Sequence, residues 1–318
     1  MRQDKSHRDR IQGGLWGAIV GDALGVPAKT STREKRGQDP VIGMRGYGTH
    51  YQPPGTWSHN SSLLLSTLES LVNYRLDLHD MGQRFVLWHR KGCWTPWGEA
   101  FDGGDTTQKA IERLEKGVEP VMAGDTDVKS NDNESLIRIL PIALRFADAP
   151  PDDLLNNAYR VSSLTHRHPR SLIACGFYCL IASALTKGFD PLDAYKGALG
   201  TASKAYVRPP YLTEMTVFKR FISGQIHELH GSDIQAGSNV VDTLDASVWC
   251  LLNSSSFEEA VLKAVNLGGD TDTTASLTGG LAGIHHGLSG IPPKWIGVLA
   301  KRDDIGRMVD RFIEKAPK

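Results

Sequence analysis

The chain has 318 residues, with 36 basic and 36 acidic side chains and a formal net charge of +0. Electroneutrality without a Lys/Arg cluster argues against nucleic acid as a partner, because binding a phosphate backbone rests on a basic excess. A prior of ~150 residues per domain allows two domains, yet a chain this long can also bury one large core without disulfides or a structural metal.

The segment 1–10 is charged and lacks the apolar stretch of a signal peptide. The longest apolar run, 172–185, is interrupted by Gly and Ser and falls short of the ~20 residues of a membrane span. The expectation is one cytoplasmic domain over 1–318, with a charged extension at 1–10 and no membrane contact.

Mixed three- and four-residue apolar spacing predicts helices over Ile11–Leu24, Ser61–Tyr74, Thr106–Lys116, Leu136–Phe146, Pro151–Thr165 and Arg170–Leu185. The same spacing continues over Pro191–Ala205, Tyr211–Leu229, Thr243–Leu252, Phe257–Leu267, Thr273–His286 and Pro292–Lys315. Ser256 followed by Phe-Glu-Glu, and the pair Pro292-Pro293, mark helix starts. Gly, Pro, Asn and Asp collect in loops at 30–60, 92–105, 122–134, 206–210, 231–240 and 268–272. Sustained apolar/polar alternation is hard to find, so the predicted fold class is all-α.

Two helices carry lines of glycine at four-residue spacing: Gly13, Gly17, Gly21, Gly25 and Gly279, Gly283, Gly287. Glycine inside a helix costs about 1 kcal/mol relative to alanine. Close backbone packing of two central helices, which would join the chain ends in the core, accounts for both lines. Of the four cysteines, Cys93, Cys175, Cys179 and Cys250, none has zinc-site spacing, and the 175/179 pair reads as core packing. Without a disulfide framework the expected compartment is reducing.

The densest chemical constellation is Asn266-Leu-Gly-Gly-Asp-Thr-Asp-Thr273, set just before a predicted helix. Two carboxylates and two hydroxyls in four residues offer hard oxygen ligands suited to Mg²⁺ or Mn²⁺ rather than zinc. Such residues also cap helices, and for an isolated run capping would come first. The preceding Gly268-Gly269 and the rest of the chain move the reading towards a metal. No serine lies in a Gly-x-Ser-x-Gly signature.

Six segments in order resemble the ADP-ribosylglycohydrolase family: Gly17–Pro27, Pro54–Trp57, Phe101–Thr107, Leu164–Pro169, Val240–Leu244 and Ala264–Ala275. The resemblance implies an all-α fold with a cleft that binds ADP-ribose and two Mg²⁺ or Mn²⁺ ions and cleaves the glycosidic bond of the ribose. It implies Asp270, Asp272 and Thr273 as metal ligands and Asp102 as a carboxylate near the reacting ribose. It places Gly103, Gly104, Asn133, Ser135, His166, Gly268 and Gly269 around the ligand; Trp57, beside the first metal loop, either walls the cleft or packs in the core as most tryptophans do.

The sequence departs from the family where it should bind metal. The first metal loop, Thr/Ser-Asp-Asp-Thr in the family, reads Ser58-His59-Asn60-Ser61, leaving only the Ser58 hydroxyl as an ordinary ligand. Imidazole suits Mg²⁺ poorly, and two negative charges are gone. Where the family places a catalytic Glu stands Lys29, a substitute cation, an amine nucleophile or a chain turned to solvent. Glu134 replaces a small Gly, and Asn239 stands where the family has a Tyr.

Two functions follow from this mixture. One is an ADP-ribosyl N- or O-glycoside hydrolase with a reduced metal site, one Mg²⁺ or Mn²⁺ ion or none, acting on an ADP-ribosylated protein or small molecule. The other is a non-catalytic relative that binds ADP-ribose or an NAD-like ligand, or serves a regulatory role.

Overall fold

Helices joined by irregular loops make up the computed structural model, which describes residues 6–315. No strand occurs among the described residues; the extended pairings are isolated bridges, Asp125 with His166 and Asp132 with Asn239. The longer helices are α1 (His7–Gly25), α2 (His59–Asn73), α3 (Leu78–Lys91), α4 (Asp105–Glu115), α5 (Leu140–Arg145) and α6 (Pro151–Ser162). They continue with α7 (Pro169–Thr186), α8 (Pro191–Ala205), α9 (Val240–Leu252), α10 (Phe257–Asn266), α11 (Thr271–His286) and α12 (Arg302–Glu314).

The glycine lines do join the chain ends. A Cβ added at Gly17 would sit 2.2 Å from Gly279 O, and one at Gly21 would sit 2.0 Å from Ala275 O. The backbones of α1 and α11 therefore touch, a distance no side chain tolerates. Gly25 meets Asp272 in the same way, with a hypothetical Cβ 2.3 Å from its Cα. This seam carries the end of α1 to the start of α11, where the chemistry lies.

One hydrophobic core runs through the molecule, drawing on α1 and α12 alike. Helix α7 is long and apolar enough by length and composition to cross a bilayer, but 78% of that window is buried inside the protein. It is the core helix that the Cys175/Cys179 spacing implied, and both thiols are free and buried.

Several expectations change: a short helix, Arg33–Gln38, lies within the predicted 30–60 loop, and the predicted helix over 136–146 divides into Leu136–Arg138 and α5. Residues 7–10 of the charged extension form the first turn of α1, capped by Ser6, whose hydroxyl accepts from Asp9 N at 3.2 Å. The predicted helix over 211–229 breaks into short turns, Tyr211–Glu214, Met215–Phe218, Lys219–Ile222 and Ile226–Glu228, with Gly224 at φ +78° between the last two. The predicted helix over 292–315 divides into Pro293–Gly297 and α12. Its middle is pulled onto Gly55, whose carbonyl accepts from Ala300 N at 3.0 Å.

Helix α3 goes beyond the sequence expectations. Asp77 caps it through His79 N and Asp80 N, Gly92 closes it in the left-handed region, and Met81, Phe85 and Trp88 face the core.

Candidate functional site

Two segments distant in sequence, the loop carrying Asp102 and the run Asp270–Asp272, converge on Lys29. Its Nζ lies 3.0 Å from Asp272 Oδ2 and 3.3 Å from Asp270 Oδ1, and it also donates to Asp102 Oδ2. An ammonium has three N–H donors and here it meets three carboxylates. The side chain is 14% exposed, which excludes the solvent-facing alternative.

The backbone around Lys29 is pinned. Thr30 N donates to Gly269 O and Gly269 N to Ser31 O, each at 2.8 Å, which ties this turn to the loop that presents Asp270. Gly268 and Gly269 adopt φ +77° and +71°, and a Cβ on Gly269 would meet Ala236 O at 2.2 Å. The two glycines thus hold the Lys29 turn through their backbone. Thr49 Oγ1 donates to Lys29 O at 2.5 Å.

Opposite Lys29, α2 opens with the run Ser58–Ser61. His59 Nδ1 lies 3.5 Å from Asp102 Oδ2, and its Nε2 lies 3.2 Å from Glu134 Oε1. Asn60 Nδ2 is 3.3 Å from both Asp272 Oδ2 and Thr273 Oγ1. Ser58 turns the other way: its hydroxyl donates to Asp22 Oδ1 at 2.7 Å and accepts from Asn60 N. Ser61 Oγ donates to Asp22 Oδ2 at 2.6 Å, and the backbone N–H groups of Ser58 and Ser61 complete the set.

Around this centre, Asn133 Nδ2 donates to Asp270 Oδ2 at 2.7 Å and to Thr243 Oγ1 at 2.8 Å. Gly104 N donates to Glu134 Oε1 at 2.5 Å, a contact that a side chain at 104 would obstruct. Gly103 lies against the Trp88 ring. Asp270 is the residue before α11, but its carboxylate makes no capping bond; it is spent on Lys29 and Asn133.

Burial and pairing set the charges. Burial works against the Lys29 ammonium, yet Asp272, Asp270 and Asp102 outweigh it and raise its pKa well above the lysine range. A raised pKa disfavours the free amine that a lysine nucleophile requires. Burial also opposes the His59 imidazolium, but Asp102 and Glu134 push its pKa up to about 10.

The carboxylates divide by their partners. For Asp102, burial favours the neutral acid, but His59 and Lys29 hold it below the usual carboxylate range. Asp270 is lowered against its burial by Lys29 and Asn133. For Asp272, burial and the neighbouring Asp270, Asp102 and Asp22 push against ionisation, and the Lys29 ammonium at 3.0 Å is the cation that opposes that push. Burial likewise raises Asp22, against the bonds from Ser61 and Ser58.

Of the three carboxylates around Lys29, Asp102 is the most exposed, at 15%. It stands at φ +65°, a conformation that non-glycine residues adopt rarely and that gathers at functional sites. His50 Nε2 lies 3.6 Å from Asp102 Oδ1, and the His50 ring packs on Phe101 with centroids 5.4 Å apart.

Several sequence expectations land elsewhere. His166 is fully buried, its ring between Asp132 Oδ1 at 2.6 Å and Thr165 Oγ1 at 2.8 Å, so it orders the loop before Asn133. Ser135 is buried and bonded to Ser162 Oγ at 2.9 Å. Trp57 is core, donating to Ala300 O at 3.0 Å, and not a cleft wall. Asn239 caps α9 through Val241 N. Asp22 and His50 are not among the expected site residues; Asp22 lies within the Gly17–Pro27 segment, and that segment is its sequence signal.

One ligand atom each from His59, Asp102 and Asp272 lie within 4.8 Å of one another, a grouping that could hold a metal ion. Two of the three already bind Lys29, and Asn60 points an N–H at two of the expected ligand oxygens. Ser58 is committed to Asp22. These donors do not fit a pair of divalent ions, whose oxygen ligands must lie at about 2.0–2.6 Å with nothing cationic between them.

An all-α protein with a carboxylate cluster at the glycine-seamed ends of α1 and α11 is thus defined by fold and site. The chain belongs to the ADP-ribosylglycohydrolase family, whose model matches residues 3–318. It is 29% identical to the ADP-ribosylarginine hydrolase Tri1 of Serratia proteamaculans (strain 568), over 98% of this chain and 80% of that protein. It is 27% identical to the ADP-ribosyl-[dinitrogen reductase] glycohydrolase of Rhodospirillum rubrum, over 98% of both chains. A solved structure described as an ADP-ribosylglycohydrolase-related protein complex superposes with a TM-score of 0.82 at 29% identity, covering 98% of this chain and 99% of that one.

Proposed function

We propose that this protein hydrolyses the glycosidic bond joining an ADP-ribosyl group to a protein side chain, with the arginine guanidinium as the first acceptor to test. The arginine acceptor comes from the name of the Serratia relative, an ADP-ribosylarginine hydrolase, and the protein-linked substrate from that of the Rhodospirillum relative. The observation that carries the reading is Asp102, a partly exposed carboxylate held ionised by Lys29 and His59 on a strained backbone.

Cleavage of a ribosyl bond passes through an oxocarbenium-like state, in which positive charge grows on the anomeric carbon. A fixed anion beside that carbon stabilises it more than the neutral ground state. The C–N bond breaks with its electron pair leaving on nitrogen. Water supplies the new oxygen, and its proton ends on the departing guanidine or in solvent. Asp102 supplies the anion, and Lys29 and His59 keep it deprotonated and aimed.

A second reading, ADP-ribose binding without turnover, draws on one observation: the ammonium of Lys29 already engages three carboxylates that would otherwise be open to the ribose. Release of ADP-ribose from ADP-ribosylarginine peptides, followed with calorimetry of ADP-ribose itself, separates the two. Turnover supports the first reading; saturable binding with no release at high enzyme concentration supports the second; neither binding nor release contradicts both.

A further inference from the structure

We infer that the Lys29 ammonium is the resident cation of this cleft, standing among Asp102, Asp270 and Asp272 in place of a divalent ion, so that the protein needs no Mg²⁺ or Mn²⁺. The inference rests on the reading of the cleft as an ADP-ribosyl site, and it holds whether or not the bond is cut.

Geometry carries it first. The three N–H donors of one ammonium match three carboxylates from two separate segments, Asp102 of the Phe101–Thr107 loop and Asp270 and Asp272 at the start of α11. The lysine does not swing in from a mobile strand. Its turn is bolted to the Gly268-Gly269 loop by two backbone bonds of 2.8 Å, so Lys29 and Asp270 are placed by the same piece of structure.

The opposite wall has changed in the same sense. Asn60 is a donor, and Nδ2 points at Asp272 Oδ2 and Thr273 Oγ1, where a metal's ligands would face inward. His59 spans Asp102 and Glu134. The Glu134 carboxylate lies 3.2 Å from that ring. Each departure adds a cation, a donor or the partner of one.

A dication would have to evict Lys29 from three ion pairs and then sit beside a displaced ammonium and His59. It would gain the same three carboxylates only by leaving the ammonium without partners beside it, and that repulsion opposes its binding.

The test measures Mn²⁺ binding to chelator-treated full-length protein by the loss of the free-ion electron paramagnetic resonance signal and by calorimetry, for the wild type, Lys29→Ala and Lys29→Glu. The wild type should bind Mn²⁺ no more tightly than a Kd of about 1 mM. Each folded variant should bind at least about tenfold more tightly, a 1.4 kcal/mol difference. Stoichiometric micromolar binding by the wild type overturns the inference, and so does a folded pair of variants with no gain.

If both variants fail to fold, ADP-ribose calorimetry on the wild type with chelator and with excess Mg²⁺ decides. Equal affinity supports the inference, and a tenfold or greater Mg²⁺ dependence overturns it. Absence of any ADP-ribose binding would sink the proposed function while leaving the wild-type Mn²⁺ result to judge the inference separately.

Discussion

Lys29 and Asp272 are 243 positions apart in sequence and 3.0 Å apart in space. That single ion pair closes the seam between the end of α1 and the start of α11, and it decides the character of the site. A residue that would repel a metal has become the partner of the expected metal ligands.

Replacing Lys29 by Met should therefore destabilise the fold. The uncompensated carboxylates of Asp102, Asp270 and Asp272 would repel one another, and removing one partner of a buried pair costs about 3–5 kcal/mol. Urea unfolding at neutral pH reads this directly. A loss below about 1 kcal/mol would mean that the pairs form in a solvated, weakly coupled environment.

His59 makes the stability depend on pH with a definite sign. Its folded pKa is raised from 6.5 to about 10, so its contribution is fully present below the unfolded value and is lost as pH rises through about 10. The stability difference between wild type and His59→Gln should be largest near pH 6.5 and should shrink steadily towards pH 10. A difference that stays constant across that window would show that the ring is held neutral.

The glycine seam predicts a position-specific penalty. Gly21→Ala places a Cβ 2.0 Å from Ala275 O, which forces α1 and α11 apart and should cost at least ~1–3 kcal/mol. Gly197→Ala on α8 meets nothing within 4 Å and should be neutral or stabilising by about 0.5–1 kcal/mol. Melting curves of the two variants should move in opposite directions; parallel losses would contradict the backbone-contact reading.

Asp102→Asn tests the proposed chemistry. Turnover on ADP-ribosylarginine peptides should fall ~10²–10⁴-fold, with ADP-ribose affinity within about tenfold of wild type. A turnover loss under about fivefold would move the reacting carboxylate elsewhere.

Much of this was legible in the sequence because it was local or periodic. The glycine lines announced the α1–α11 contact, and the Gly-Gly-Asp-Thr-Asp-Thr run announced one half of the site. What escaped depends on contacts between distant segments. Asp22 reads as one acid in a helix until Ser58 and Ser61 surround it with hydroxyl and amide donors.

Lys29 was visible as a substitution, but its direction was not. A four-carbon chain can turn out or in, and the two backbone bonds to the glycine loop decide. His166 carried a motif yet faces Asp132 and Thr165. The division of 292–315 followed from the pull of Gly55 on Ala300, a contact across most of the chain.

The central claim is that an ammonium occupies the place of a metal ion, and the most direct measurement is a crystal structure of the wild type soaked in excess Mn²⁺, with anomalous differences collected at the manganese edge. The account predicts no anomalous peak among Asp102, Asp270 and Asp272, and density for Lys29 Nζ within hydrogen-bonding distance of all three. A manganese peak among those carboxylates, with the lysine displaced, would contradict it.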